Sequence, residues 1–255
     1  MFRSFTGKTI YKPPLSDFLS MNPFPCPSTF GFFYREKMRA IHTIAPDQPL
    51  QNILELGGGR SGLTALLYPL AEVINLDINI EYAQAPCNKQ AHVYFVCGNA
   101  TEIPFKNHTF DAVTAFDLLE HIPNHKKVVL EARRVLRPGG FLLVSSPNES
   151  WRFPYYKFMK LICPNEDEMF RKWGHVRRGY SLNQLEDLIC MSCLNHATFI
   201  NPFTVLCHDI SFSRLPYLLR QSICFILSPL TWSGYILHRP GTKGTETTSL
   251  WQKES

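Results

Sequence analysis

The sequence predicts an α/β fold built on a doubly wound, mostly parallel sheet. Three observations predict it. Short apolar runs at residues 53–56, 73–76, 93–97, 112–115 and 141–145 have the length and uniform apolarity of strands buried on both faces. Helix-like segments separate them, the rhythm of a sheet with helices on its faces. The first run also ends in the glycine-dense turn Gly57-Gly58-Gly59-Arg60-Ser61-Gly62, which opens into helix-like 63–70. Ligands in such sheets bind beyond the carboxyl ends of the strands.

The remaining elements follow in order. A short polar segment around 80–85 links the second and third strands. Residues 126–136 carry Val128, Val129, Ala132, Val135 and Leu136 on one helical face. That helix stops at Arg137-Pro138-Gly139-Gly140, where proline and glycine favour a tight turn into the next strand. Residues 181–191 read as a helix with Ser181 at its N-cap. Residues 1–35 hold Pro13, Pro14, Pro23, Pro25 and Pro27 among aromatics, suggesting an irregular arm or lid. The division expected is an arm or lid over 1–45 and one domain over 46–255, with cap insertions at about 150–180 and 205–240.

Composition narrows the class. The chain has 255 residues, 45% hydrophobic and 18% charged, a globular balance. A net charge of +5 gives no general case for nucleic acid. The N-terminal residues lack the apolar core of a signal peptide. The nearest approach to a membrane span, 223–237, is interrupted by Ser228-Pro229 and Ser233-Gly234. Eight scattered cysteines suggest a reduced cytoplasm, and the lone Cys190-Met191-Ser192-Cys193 lacks the second pair of a zinc site. No resident metal is therefore expected.

The glycine turn fits two cofactors. Gly57, Gly59 and Gly62 match the dinucleotide spacing, and Asp77 closes the second strand where a carboxylate can accept a ribose diol. Glu55, before the glycines, is placed to reach an ammonium group or to fix the loop. Asn99-Ala100 follow the third strand. Then come Phe110-Asp111-Ala112-Val113, Leu119-Glu120-His121-Ile122-Pro123 and Arg137-Pro138-Gly139-Gly140.

In that order these motifs resemble the class I S-adenosylmethionine-dependent methyltransferases, in the broad small-molecule group that includes quinone-biosynthesis and bacterial type 11 enzymes. The resemblance covers residues 50–147, and more weakly His175 to Ser181. It implies a Rossmann-like sheet of seven strands, the last antiparallel and supplied by residues 247–251, under a helical substrate cap. It implies S-adenosyl-L-methionine as cofactor, with Glu55, Gly57 and Gly59 at the methionine end and Asp77 on the ribose. Ile78 would pack on the adenine, and Asn99 and Ala100 would contact its edge. Phe116 and Asp117 fall where the family meets the methionine amine. The family commonly has aspartate where this chain has Asn99.

The acceptor implied is a small or lipid-linked molecule. His121, after the fourth strand, is the candidate general base, or else braces a short helix there. Asp117, Glu120 and His121 at helical spacing, with His175, also resemble the metal set of small-RNA 2′-O-methyltransferases. Other readings are a non-catalytic binding or scaffold descendant, and a nicotinamide-dependent oxidoreductase. The basic and aromatic stretch 170–180 could receive an anionic group or form a solvated loop. Residues 205–238 could touch a membrane. With Arg214 and Arg220 as their cations, packing as core or lid is favoured over an interfacial helix.

Overall fold

The structure, a computed structural model, describes residues 12–24, 30–239 and 242–254. Seven strands form one sheet: β1 (Asn52–Leu56), β2 (Glu72–Asp77), β3 (Val93–Cys97), β4 (Phe110–Phe116), β5 (Leu136–Pro147), β6 (Ser192–Phe199) and β7 (Glu246–Gln252). Their spatial order is β3-β2-β1-β4-β5-β7-β6. The first five pair in parallel, and β7 runs antiparallel to both β5 and β6. The chain builds outward from β1 in one direction and from β4 in the other. The carboxyl ends of β1 and β4 therefore flank the switch-point crevice where ligands bind.

The helices are α1 (Leu15–Ser20), α2 (Phe30–Ile44), α3 (Leu63–Leu67), α4 (His125–Val135), α5 (Glu166–Trp173), α6 (Leu182–Ile189), α7 (Thr204–Ser211), α8 (Tyr217–Ile226) and α9 (Ser228–Leu237). One buried cluster joins α2, α3 and the later helices to one face of the sheet, and a second packs α4 and α6 on the other. Within α4, Val128, Val129, Ala132 and Val135 are buried, as the one-faced pattern predicts. Each contributes about 1.5–3 kcal/mol, less for the alanine. Ser181 caps α6 in a capping box with Gln184. Among the described residues no helix is long and apolar enough to cross a membrane.

Several local expectations are corrected. The irregular arm expected over 1–35 gives way by residue 30 to the regular helix α2, which packs on β6 and β7. Its apolar positions bury Phe33, Met38 and Ile41, so tertiary packing outweighs the prolines before it. Helix α3 ends at Leu67, where Tyr68 leaves the helical region, short of the expected residue 70. Half of the β6 residues are exposed and they show no clean alternation, which hid the strand from pattern reading. Stretch 150–178 contains α5, capped by Asn165 and ended by Gly174 in the left-handed region.

Arg137-Pro138-Gly139-Gly140 is a bulge inside β5 rather than a turn before it. Phe110 pairs with Leu136, yet Ala112 pairs with Phe141, so the four residues loop out of register. The buried Asp111 holds them through Arg137 at 2.6 Å while accepting the Gln51 and Asn52 amides at the entry to β1.

Candidate active site

The loop after β1 is fixed from beneath by buried amides. Asn75 Oδ1 accepts Gly58 N–H at 3.1 Å, and its Nδ2 donates to Asn88 Oδ1 at 2.8 Å. Asn88 Nδ2 in turn donates to Gly59 O and Tyr82 O. No side chain fits at position 58: a Cβ there would stand 2.6 Å from both Asn75 Oδ1 and Glu55 Cδ. At Gly62, φ is +61° and a Cβ would stand 2.5 Å from Cys87 Cβ. Sequence reading missed Asn75 and Asn88. The signal was an amide inside the apolar run 73–76, which a buried strand tolerates only when both ends are bonded.

Glu55 is corrected in role. It is buried behind the loop, its carboxylate near the Thr64 N–H at 3.4 Å, and it is not among the residues that line the cavity. Burial pushes its carboxyl above the ordinary value. It braces the loop, the second of the two roles its position suggested. Asp77 ends β2 with Oδ2 accepting Gly59 N–H at 3.1 Å and Oδ1 accepting Asn79 N–H at 2.9 Å. Ile78 beside it is 74% exposed. Asn99, after β3, is exposed and turns its Oδ1 to Thr101 N–H, over the buried Ala100.

After β4 the chain does not continue as a helix, so Asp117, Glu120 and His121 do not share a helical face. Residues 117–124 are a bend and turns, with Asp117 at φ +50°. Asp117 is taken by Lys37 of α2 at 2.6 Å and by Ser145 Oγ at 2.6 Å. The Lys37 charge and these hydrogen bonds hold its carboxyl below the ordinary value against the opposing effect of burial. Phe116 lies beneath, its ring centroid 5.9 Å from Lys37 Nζ. Lys37 carried no sequence signal, because α2 itself was read as an arm.

Glu120, His121 and His175 do converge, with one ligand-type atom from each within 4.8 Å of the others. Such a set could hold a divalent ion; Asp117, the fourth residue of the sequence reading, is turned to Lys37 instead. Glu120 is buried with Oε2 unpartnered, and burial with the nearby Asp117 charge raises its carboxyl well above the ordinary value. Burial and His121 lower His175 to about 4, so its ring is neutral at neutral pH. His121 Nδ1 donates to Gly174 O at 3.2 Å, which leaves Nε2 as the proton-accepting nitrogen.

Arg177, Arg178 and Tyr180 of the stretch 170–180 serve as braces. Arg177 donates to the carbonyls of Leu119, Ile122 and Pro123, and Tyr180 Oη donates to Leu119 O. Val176 N–H reaches Glu120 O at 2.9 Å, and Arg178 pairs with Glu166. These contacts hold the Glu120–His121 turn from outside. Cys190 ends α6 in the left-handed region and Cys193 lies in β6.

A cavity of about 450 Å³ unites these parts. Gly58, Arg60 and Ser61 of the loop line it together with Lys37, Asp117, Glu120 and His121. Part of its wall is aromatic: Trp173 lies 5.7 Å from Trp151 and 5.1 Å from Phe212, and Phe33 meets His208 at 5.0 Å. Glu246 of β7 also lines it, its carboxyl raised by burial and by Asp117 and Glu120. The sequence placed the cap segments 150–180 and 205–240 but not which of their rings meet, because the wall is drawn from four separate segments.

Residues 54–144 match the methyltransferase domain family. This matched stretch is a methyltransferase domain of the class I, S-adenosylmethionine-dependent kind. A ubiquinone/menaquinone biosynthesis C-methyltransferase of Vibrio cholerae is 36% identical over 107 residues, covering 38% of this chain and 41% of that protein. The chain thus aligns with about two-fifths of such relatives' length. The N-methyltransferase NodS of Bradyrhizobium japonicum, solved with S-adenosyl-L-homocysteine, superposes with a TM-score of 0.55 at 12% identity, covering 94% and 97% of the two chains. The [4+2]-cyclase SpnF superposes with a TM-score of 0.57 at 13% identity, covering 94% and 92%. Likeness at that level establishes the fold, and different reactions use it.

The methyltransferase domain fits its family's cofactor. A Cβ on Gly59 would meet nothing nearer than the Tyr82 ring at 3.7 Å, so the outer side of the loop is open to a ligand. The Asp77 carboxylate stands at the strand end beside it, and exposed Ile78 is available to cover a flat ring.

Proposed function

We propose that this protein transfers a methyl group from S-adenosylmethionine to an apolar aromatic small molecule of the lipid-linked, quinone-precursor kind. The observation that carries the reading is the single cavity joining the glycine loop to the Trp151–Trp173–Phe212 wall. An aromatic wall favours a flat, weakly polar acceptor over a charged one. The quinone-biosynthesis relatives support the same class.

The cofactor supplies a methyl group already activated on a sulfonium. In this reading Gly57 and Gly59 present backbone to its methionine end, with Phe116 and the Lys37-bound Asp117 beside them. Asp77 holds the ribose, Ile78 covers the adenine, and Asn99 and Ala100 meet its edge. The aromatic wall orients the acceptor and excludes water, and orientation of this kind contributes about 7–11 kcal/mol. His121 Nε2 takes the proton released from the acceptor, with Glu120 and the neutral His175 beside it.

Isothermal calorimetry tests the first half: folded protein with no heat of S-adenosylmethionine binding would exclude the enzyme reading and favour a scaffold. Asp77→Ala is expected to weaken cofactor binding by about 1–3 kcal/mol, the range for hydrogen bonds to a charged group. Unchanged affinity would move the ribose site elsewhere. His121→Ala should reduce kcat about 10²–10⁴-fold while cofactor affinity holds. Retention of kcat would assign His121 to bracing the turn.

A further inference from the structure

Helices α8 and α9 pack on α7 through Cys224 and Thr231, which both meet Cys207, while Tyr235 packs on Phe32 of α2, and they turn their other faces outward. On α8 the outward stripe runs through Leu218, Ser222, Phe225 and Ile226, and on α9 through Leu230, Ser233, Ile236 and Leu237. Leu218, Phe225, Ile226, Ile236 and Leu237 are each between 70% and 77% exposed. The expectation that this segment packs as core or lid is therefore corrected: its inner faces do, and its outer faces do not. Leu161, at 92% exposure, and Phe158, at 67%, project from the neighbouring turn Lys157–Leu161. Arg214 N–H ties that turn to the α7–α8 link through Ile162 O at 2.7 Å. Contiguous bulky apolar surface of this extent marks an interaction site.

We propose that the outer face of α8 and α9 seats on an anionic lipid bilayer, with these side chains entering the boundary between headgroups and acyl chains. Charge selects this occupant. Residues 210–245 contain Arg214, Arg220, Arg239 and Lys243 and no aspartate or glutamate. Residues 150–168 add Arg152, Lys157 and Lys160 against Glu166, Asp167 and Glu168, the last paired with Arg214 at 2.8 Å, so the two stretches together hold seven cations against three carboxylates. Apolar side chains flanked by cations match an anionic membrane surface. A second copy docking through the same patch would set those cations against their own counterparts. The placement also bears on the site. Helix α7, on which α8 and α9 pack, lends His208 to the cavity wall, and Phe212 follows at its C-cap. A bilayer-borne acceptor would thus enter one helix layer away. The docking face deepens the acceptor reading but stands on its own observations.

The test is co-sedimentation of the full chain with phosphatidylcholine vesicles, with and without phosphatidylserine. The wild type should sediment with phosphatidylserine vesicles, and less so as salt rises. The combined variant Leu218→Ser, Phe225→Ser and Ile236→Ser should lose about tenfold or more in partitioning. Because these side chains are exposed, its Tm and its S-adenosylmethionine affinity should match the wild type, which separates failure of this inference from failure of the methyltransferase reading. Wild type remaining in the supernatant with both vesicle types would overturn the proposal. So would equal sedimentation of the variant, or a wild-type dimer in light scattering that the variant loses without any vesicle binding.

Discussion

Replacing Glu36 with glutamine is expected to stabilise the protein at about pH 8 and to flatten its stability between about pH 5 and 8. Glu36 lies on α2 with none of its surface exposed, and neither carboxyl oxygen has a hydrogen bond of good geometry. Burial pushes its carboxyl up to about 8; the nearby Thr204, Arg39 and Ile200 offset only part of that. The unfolded chain ionises near 4.5. Between those values the native state binds the proton that the unfolded state has released, so rising pH favours unfolding. The slope is about 1.4 kcal/mol per pH unit, several kcal/mol over the window. Glutamine keeps the shape and never ionises. Urea unfolding of both proteins at pH 5, 6, 7 and 8 measures the difference, and identical slopes would remove Glu36 as the source.

The second large effect is expected from Asn75→Ala. Alanine leaves the Gly58 N–H and Asn88 Oδ1 without their partners in a buried setting, and each orphaned group costs about 1–3 kcal/mol. Because Asn88 also holds Gly59 O, the loop loses its support from beneath as well as stability. Both Tm and S-adenosylmethionine affinity should fall, the second by about tenfold or more. Asn75→Asp can still accept from Gly58 but cannot donate to Asn88, so its affinity should lie between the two. A stable Asn75→Ala protein with wild-type affinity would show that the amide network does not shape the cofactor loop.

The parallel core was legible because each signal was local. Strands buried on both faces must be short and uniformly apolar, and the helix between β4 and β5 must show one apolar face. A ligand approaching backbone requires glycine, so the loop and the carboxylate at Asp77 could be read together. The edge of the sheet was harder. β7 was placed from the resemblance, whereas β6 lacks alternation because much of its side-chain surface is exposed. Helix α2 was obscured by the prolines before it.

The acceptor side divides differently. The Glu120–His121 turn was located in the sequence, but its partner contacts were not. Arg177 and Tyr180 clamp it from more than fifty residues away, and Lys37 draws Asp117 aside from eighty. Local spacing suggested a helix for residues 117–121, yet these long-range bonds hold a turn.

By itself the sequence determined the doubly wound core and the glycine loop, since those depend on periodicity and on residues adjacent in the chain, and its resemblance to the methyltransferases implied the cofactor. Only the tertiary structure decided that Glu55 braces the loop, that Asp117 turns to Lys37 and leaves the Glu120–His121–His175 set, and that Trp151, Trp173 and Phe212 form one wall. It also decided which faces of α8 and α9 stay uncovered. Those outcomes depend on which surfaces meet across the fold, and burial, charge pairing and exposure are properties of that meeting.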